Sequence, residues 1–205
     1  AAENVELPLV YRGVPARERR RLALEDFCSV LDLPASAKYD GTIERIARGL
    51  RPLSTDLAAD LDILFRRAVF AWLIADGDMH LKNLALLKIA ESDARTFTSV
   101  RFAPLYDAIT TRVFPGLGGD RMALKLNGKD DQLSRRDFMT LARTIGLARS
   151  EADRAIAELT GRLAEAVGIF RLPAFAMDAP AAVTVQDQVL ALAGERCAAL
   201  AADAC

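Results

Sequence analysis

The stretch IADGDMHLKNLALL, residues 74–87, decides how the rest of the chain is interpreted. An apolar run with helical spacing precedes it, and it ends in a leucine-rich run that is typical of a strand. Between these runs, eight positions hold two aspartates, a lysine, an asparagine and the single histidine of the chain. A short polar loop between two buried elements is held by a rigid scaffold, which favours chemically active side chains. We therefore predict that residues 76–83 form the functional loop.

The acids and the amide in and after this loop are of the kinds that phosphoryl transfer uses. Asp78 and Asn83 lie five residues apart, and Asp107 follows a second strand-like run. Phosphoryl transfer needs a positioned hydroxyl and a magnesium ion held by few protein oxygens, with phosphates completing the coordination. A proton-accepting aspartate, an asparagine oxygen and a second aspartate for the metal fit that requirement.

Taken one by one, the same side chains have structural interpretations. His80 alone is typical of a hydrogen-bonded scaffold group, Asp76 of a turn at a helix end, and Lys82 of a solvated side chain. Asp107 alone could cap the short segment 108–113. The combination of D-x-H-x-x-N, strand, turn, strand and Y-D is what favours a phosphoryl-transfer site, because base and metal ligands must converge.

The composition limits the class of protein. The 205 residues are 52% hydrophobic, enough for one large core or two small ones, and the net charge of −1 does not favour nucleic acid or an anionic membrane as a partner. Three widely spaced cysteines match neither a CxxC pair nor a zinc site, which predicts free thiols and a cytoplasmic location. No apolar stretch reaches the roughly 18 residues of a membrane span, and the first ten residues do not resemble a signal peptide.

Hydrophobic spacing predicts a mainly α fold with a small β insertion. Helices are predicted over 16–33, 42–50, 54–74, 134–145, 150–167 and 185–202, and strands over 84–89, 97–102 and 122–126. The third helix is expected to be the longest, with Ser54 as its N-cap, and S-x-x-D at 134–137 and 150–153 resembles capping boxes.

Two segments invite a phosphate-binding interpretation. The arginine-rich run 17–21 is interpreted as the solvated face of a helix, with a phosphate-binding patch as the alternative. The glycine-rich run 115–119 lacks the lysine and the Ser/Thr of a P-loop and is predicted to be a flexible loop.

Five segments together resemble the HipA family, serine/threonine kinases that act as toxins of bacterial toxin–antitoxin pairs. The segments are IADGDMHLKN at 74–83, APLYD at 103–107, EDFC at 25–28, KY at 38–39 and MALKLNGK at 122–129. The resemblance covers about residues 11–147. It implies a protein-kinase-like C-lobe of the HipA C-terminal domain type, with ATP as the phosphate donor and Mg²⁺ as the metal.

The resemblance also implies a role for each residue of the loop. Asp78 would be the catalytic base, and Asn83 and Asp107 would be magnesium ligands, Asp107 in the place of a DFG aspartate. For His80 the expectation is loop scaffolding, and for Lys82 contact with phosphate or substrate. The pair Asp76-Gly77 departs from the asparagine-containing pair expected there, which affects the shape of the loop more than its chemistry.

The resemblance implies two parts of unequal size. Residues 1–12 are expected to be a hinge or a remnant of the N-lobe, and residues 13–205 a helical C-lobe with the catalytic loop 76–83 and a strand group at 84–126. An N-lobe with a phosphate-covering loop and an ATP-anchoring lysine is absent from this sequence. We expect a fragment, a shortened gene product or a chain completed by a separate N-lobe subunit, with weak nucleotide binding and little turnover alone.

Partners follow from the resemblance. One is a HipB-like helix-turn-helix antitoxin, and contact with DNA is expected only through it. The other is a protein substrate with a reactive serine, which in the known target type of the family belongs to an aminoacyl-tRNA synthetase. No membrane partner is expected. Aminoglycoside and choline kinase-like enzymes share G-D-x-H-x-x-N, but they usually place an aromatic residue after the second metal aspartate, where this chain has Ala108. A non-catalytic lobe that acts as a binding module and a helical domain with a chance motif remain as alternatives.

Overall fold

The computed structural model describes residues 21–90, 96–171 and 180–202. These residues form a three-stranded sheet and α-helices, the mainly α fold with a small β insertion that the sequence predicts. The elements are β1 (Arg21–Asp26), α1 (Phe27–Val30), α2 (Ile43–Leu50), α3 (Leu57–Ile74), β2 (Ala85–Ala90), β3 (Ser99–Phe102), α4 (Arg135–Ile145), α5 (Arg149–Ile169) and α6 (Pro180–Ala202). Single 3-10 turns lie at Ala35–Ala37 and Thr111–Val113. The predicted N-lobe remnant at residues 1–12 lies outside the described residues.

The sheet is antiparallel, and β2 is its central strand. The strands predicted over 84–89 and 97–102 are present with ends shifted by one or two residues. Their hairpin connection, 91–95, lies outside the described residues. The inner ends of β2 and β3 are buried, so the sheet covers one side of the helical core.

Residues 21–26 form β1, so the prediction of a helix over 16–33 is wrong for them. The strand pairs with β2 along its whole length, and the Lys88 ammonium forms an ion pair with the Glu25 carboxylate across the two strands. Because the pairing strand lies some sixty residues further along the chain, its hydrogen bonds override the local helical spacing. Residues 16–20 lie outside the described part.

Residues 122–126 do not join the sheet, so the prediction of a strand there is wrong and β1 takes the third place. Leu124 and Leu126 are fully buried, as alternating apolar residues suggest. The segment pairs only in isolated bridges, one of them between Lys125 and Thr42 at the start of α2. It therefore packs on the helices and leaves β3 as a sheet edge in the described structure.

Helix α3 is the centre of the core. It buries apolar side chains on most of its circumference: Leu61, Leu64, Phe65, Ala68, Val69, Ala71, Trp72 and Leu73. Its N-cap is Asp56, whose Oδ1 accepts from Ala59 N at 3.3 Å, and not Ser54 as predicted. Ser54 Oγ donates instead to the buried Asp60. With 18 residues it is shorter than α5 and α6, so the prediction that it is the longest helix is also wrong.

The C-terminal helices follow the predicted order. The capping box of Ser134 and Asp137 opens α4, which ends at Gly146 in the left-handed conformation, φ 86°. Helix α5 begins at Arg149, and Glu151 Oε2 accepts from Ala148 N at 3.2 Å, so the predicted capping box of Ser150 and Asp153 is wrong. The Asp153 carboxylate forms an ion pair with Arg135. The last helix starts five residues before the predicted Val185.

Two further observations concern the predicted environment of the chain. Cys28 and Cys197 are buried free thiols, as predicted, and Cys205 lies outside the described residues. Among residues 21–90, 96–171 and 180–202, none of the helices has both the length and the apolar character needed to cross a bilayer.

Candidate active site

The loop 76–83 starts from a fixed point, the end of α3. Ala75 adopts a left-handed conformation, φ 56°, which turns the chain sharply out of the helix. The backbone carbonyl of Ala75 accepts from both the backbone N and the hydroxyl of Thr111, at 3.0 and 3.1 Å. Gly77 N in turn donates to the Thr111 hydroxyl at 3.0 Å. The first turn of the loop is therefore pinned to the segment that follows Asp107.

Asp76 is a buried anchor of this loop, a role that sequence reasoning missed. Its side chain is 3% exposed, and its Oδ1 accepts from Asp78 N at 3.0 Å. Burial raises the pKa of Asp76 to about 6. The signal in the sequence was an acid directly after a buried helix and two residues before a second acid, an arrangement that the turn interpretation did not use.

Asp78 is half-buried and holds a hydroxyl group. Its Oδ1 accepts a hydrogen bond of 2.6 Å from the Tyr39 hydroxyl, and this bond raises the pKa of Tyr39. A second hydrogen bond joins the residues around Tyr39 to the loop, from Leu81 N to the Lys38 carbonyl at 3.0 Å. The Asp78 carboxylate is thus placed to receive hydrogen bonds from hydroxyl groups, as a general base must be.

His80 is buried within the loop. Its backbone N donates to the Asp78 carbonyl at 2.7 Å and to Asn83 Oδ1 at 3.3 Å. Burial lowers the pKa of the imidazole, which favours its neutral form. The ring packs edge-on against Tyr39 with centroids 5.2 Å apart, and Nδ1 is buried without a hydrogen-bond partner in the described structure.

Asn83 and Asp107 lie in direct contact. Asn83 Nδ2 donates to Asp107 Oδ2 at 2.5 Å, although the two residues are 24 positions apart. The β2–β3 hairpin closes that distance, and the Tyr106 hydroxyl donates to the Lys82 carbonyl at 2.7 Å beside it. Asp107 has a positive φ of 57°, an uncommon conformation for a residue with a side chain that is frequent at functional turns.

Lys82 points to a different neighbour. Its ammonium forms an ion pair with Asp26 Oδ2 at 2.5 Å, on the β1 side of the loop, and this pair raises the pKa of Lys82. Both side chains are partly exposed, so the pair is screened by water. The expectation that Lys82 contacts phosphate or substrate stays a prediction.

The structure therefore brings four of the five predicted side chains to one place. Asn83 Nδ2 donates to Asp107, the His80 backbone N donates to Asn83 Oδ1, and the Asp78 and Asp107 carboxylates both lie close enough to the His80 imidazole to interact with its charge. Amide and carboxylate oxygens are ligands that Mg²⁺ takes when phosphates and water complete its coordination. In the structure Asn83 presents Nδ2 to Asp107 and Oδ1 to His80 N, so Oδ1 would take the place of Nδ2 beside Asp107 when a metal is held. Among the described residues, no three or more His, Cys, Asp or Glu side chains cluster as a metal cage. The donors present fit an open magnesium site.

Two curated relatives of the chain are named putative kinases. "Putative kinase Y4mE" of Sinorhizobium fredii is 30% identical over 154 residues, which make up 72% of this chain and 34% of that protein. "Putative kinase Y4dM" of the same organism is 36% identical over 88 residues, 43% of this chain and 20% of that protein. The matched part of the chain thus spans about a third of the length of one curated relative and a fifth of the other.

A solved structure shares the fold. It is that of the Shewanella oneidensis toxin–antitoxin system HipA, HipB and its operator DNA, with a TM-score of 0.69 at 15% identity, over 89% of this chain and 44% of the solved chain. The predicted fold of the HipA C-terminal type is confirmed by this likeness. Residues 12–167, about three quarters of the sequence, also match the profile of the HipA-like C-terminal domain. The chain belongs to the HipA-like C-terminal domain family.

Proposed function

We propose that this chain carries the catalytic loop of a serine/threonine protein kinase that transfers the γ-phosphate of ATP to a protein serine. The proposal is carried by one observation, the 2.5 Å contact between Asn83 and Asp107 beside the loop that holds Asp78. A chain that only needed a tight turn would not have to bring an amide and a carboxylate from two elements to the same side of a proton acceptor. Phosphoryl transfer needs that convergence.

In this proposal Asp78 is the general base. Its carboxylate already accepts a hydrogen bond from one hydroxyl, that of Tyr39, and a serine hydroxyl would donate to the same carboxylate. As the serine oxygen bonds to the γ-phosphorus, its proton passes to Asp78 and ADP leaves.

Asn83 and Asp107 are the residues that would hold magnesium. When bound, Mg²⁺ neutralises charge on the phosphate oxygens and fixes their direction. Asn83 is held on one side by the His80 backbone and on the other by Asp107. Both ends of the Asn83 amide are therefore hydrogen-bonded, and magnesium would replace the contact between Nδ2 and Asp107 by bonds to oxygens of the two residues.

His80 and Asp76 support the base without touching the substrate. The backbone of His80 bonds to the Asp78 carbonyl and the Asp76 carboxylate bonds to the Asp78 amide, so Asp78 is held on both sides. Lys82 is proposed to contact phosphate or substrate, for which it would exchange its exposed ion pair with Asp26.

The proposed biological setting is a toxin–antitoxin pair. The support is the HipA of Shewanella oneidensis, which shares the fold and whose structure contains HipB and operator DNA. We infer a HipB-like helix-turn-helix antitoxin as partner, contact with DNA through that antitoxin, and a cytoplasmic location. The protein substrate would be of the aminoacyl-tRNA synthetase type.

The catalytic proposal is tested in the protein as its gene encodes it, with ATP, Mg²⁺ and ³²P transfer to protein as the readout. Asp78→Ala is expected to reduce transfer at least about 100-fold, because the base is lost. Asp107→Ala and Asn83→Ala are expected to weaken magnesium-dependent nucleotide binding as well, measured by calorimetry.

Asp187→Ala is the matched control, since Asp187 is an exposed aspartate on α6 away from the loop. It should leave both transfer and binding unchanged. Circular dichroism confirms that each variant keeps the helical fold. Full transfer by either the Asp78 or the Asp107 variant would remove the site assignment.

A further inference from the structure

An open groove of about 680 Å³ begins at Asp78 in the described part of the structure. Tyr39, Gly77 and Asp78 line it together with residues of the segment 109–123. Neither the metal ligands nor Lys82 contributes to it.

The far wall of this groove has an apolar rim. Three large side chains of the rim are exposed to water: Phe114 at 47%, Leu117 at 44% and Ile109 at 39%. Exposed apolar groups that share one concave surface are a recurrent sign of a binding site, whereas single ones are ordinary. The rim is therefore suited to bind an apolar group of a ligand.

The rim is held in place by hydrogen bonds. Arg112 Nε donates to the Asp120 carbonyl at 2.6 Å and its Nη2 pairs with Asp131 at 3.2 Å, while Leu117 N donates to the Phe114 carbonyl at 3.0 Å. Gly77 lies so close to Asp120 that a Cβ on it would meet the carboxylate at 2.0 Å. The segment that carries the rim is thus seated on the catalytic loop itself.

We propose that this groove docks the phosphate acceptor, an extended polypeptide segment with an apolar side chain next to its reactive serine. This deepens the proposed function and rests on it. The serine hydroxyl would lie at Asp78, where the Tyr39 hydroxyl shows that a hydroxyl fits at 2.6 Å. The flanking apolar side chain would lie against Phe114 and Leu117.

The charge of the groove decides against a small polycation such as an aminoglycoside. The charged residues that line it are Asp78, Asp120 and Arg121, and Arg121 already forms an ion pair with Asp130 at 3.3 Å. A ligand with several ammonium groups needs several carboxylates, whereas the groove offers two, and one of them, Asp78, already accepts from Tyr39. An uncharged polypeptide segment matches the lining better.

The test measures binding of short peptides, without nucleotide or magnesium, to the protein as its gene encodes it. The probes are fluorescein-labelled nine-residue peptides with a central serine, flanked on both sides by leucine, by glutamate or by lysine. Fluorescence anisotropy is expected to show that the leucine-flanked peptide binds at least about tenfold tighter than either charged peptide, because only it buries apolar surface on the rim.

Phe114→Ser and Leu117→Ser are each expected to lower the affinity for the leucine-flanked peptide at least about fivefold. Phe97→Ser is the matched control, since Phe97 is 46% exposed on the β2–β3 hairpin and does not line the groove. Because all three side chains are exposed, the variants should keep their melting temperature, and the two rim variants test the rim independently.

Equal binding of a charged peptide, displacement of the leucine-flanked peptide by kanamycin or choline, or an equal loss in the Phe97 variant would overturn the proposal. The assay needs no phosphoryl transfer. Leucine-selective binding in a protein that transfers no phosphate would contradict only the proposed function, and transfer without leucine selectivity would contradict only the docking proposal.

Discussion

Asp76 shows how a single buried acid can make the folded state depend on pH. Its carboxyl has a pKa of about 6 in the folded chain and an ordinary value of 3.8, because burial penalises the charged form. Below about pH 3.8 the group is protonated whether the chain is folded or not. The unfolded chain ionises near pH 3.8, whereas Asp76 in the folded chain stays protonated up to about pH 6. Raising the pH through this range therefore favours the unfolded state, and the stability that is present at low pH is lost as the pH passes 6.

Asp76→Asn is expected to remove this dependence while keeping an oxygen that accepts from Asp78 N. The wild-type chain should lose up to roughly 3 kcal/mol relative to the variant between pH 4 and pH 7. Urea unfolding of both proteins at pH 4, 5, 6 and 7 gives that difference directly. A difference that stays constant over this range would contradict the assignment.

At the scale of elements, the start of α3 is tied to β3 by a fully buried carboxylate. Asp60 has 0% exposure, and its oxygens accept from Ser54 Oγ at 2.6 Å, Arg101 Nε at 3.0 Å and Phe102 N at 3.1 Å. Three donors on one acid compensate for its burial. The strand that leads to Asp107 is thereby fixed to the helix that leads to Asp78.

Asp60→Ala is expected to cost about 2–4 kcal/mol of unfolding free energy, because the three donors lose their acceptor and one of them, Phe102 N, is buried. Asp62→Ala on the same helix is the control. The Asp62 carboxylate forms an ion pair with Arg66 at 2.7 Å, and the two side chains are 30% and 27% exposed. Because water screens such a pair, losing it should cost less than about 1 kcal/mol of unfolding free energy. Guanidinium unfolding compares the two, and equal costs would show that burial of Asp60 is not what matters.

At the scale of the whole molecule, the last helix supports the loop that lies more than a hundred residues before it. Arg196 of α6 stacks on Trp72 with its guanidinium carbon 3.8 Å from the ring centroid, and it donates to the Trp72 carbonyl at the end of α3. Burial lowers the pKa of Arg196 to about 10, which still leaves it charged at neutral pH. Arg196 lies outside the residues matched by the family profile, 12–167, whereas Trp72 lies within them.

Arg196→Met is expected to destabilise the chain by about 2–3 kcal/mol, since a hydrogen bond to a buried carbonyl and a cation–π contact are both lost. The backbone N of Asp76 donates to the Ala71 carbonyl at the same helix end. Hydrogen exchange of this amide should therefore become faster in the variant. Glu195→Gln, an exposed change on the same helix, is the control. Unchanged exchange at Asp76 would show that α6 does not support the loop.

Prediction from sequence succeeded where the pattern was local. The helices of 42–50 and 134–145, and the polar loop between a buried helix and a strand, follow from spacing and capping within about ten residues. It failed at residues 21–26, where the paired strand lies far along the chain, and at 122–126, whose alternating leucines pack on helices. Neither partner is visible from the segment itself.

The sequence by itself determined the family, the helical character and the set of polar residues in the loop, because all of these depend on side-chain identity and short spacing. Only the tertiary structure decided that Asn83 meets Asp107, that Tyr39 occupies the Asp78 carboxylate, and that Asp76 is a buried anchor. These contacts join segments that are brought together by packing of the hairpin and helices, and burial changes the energy of a charge in a way that no local pattern records.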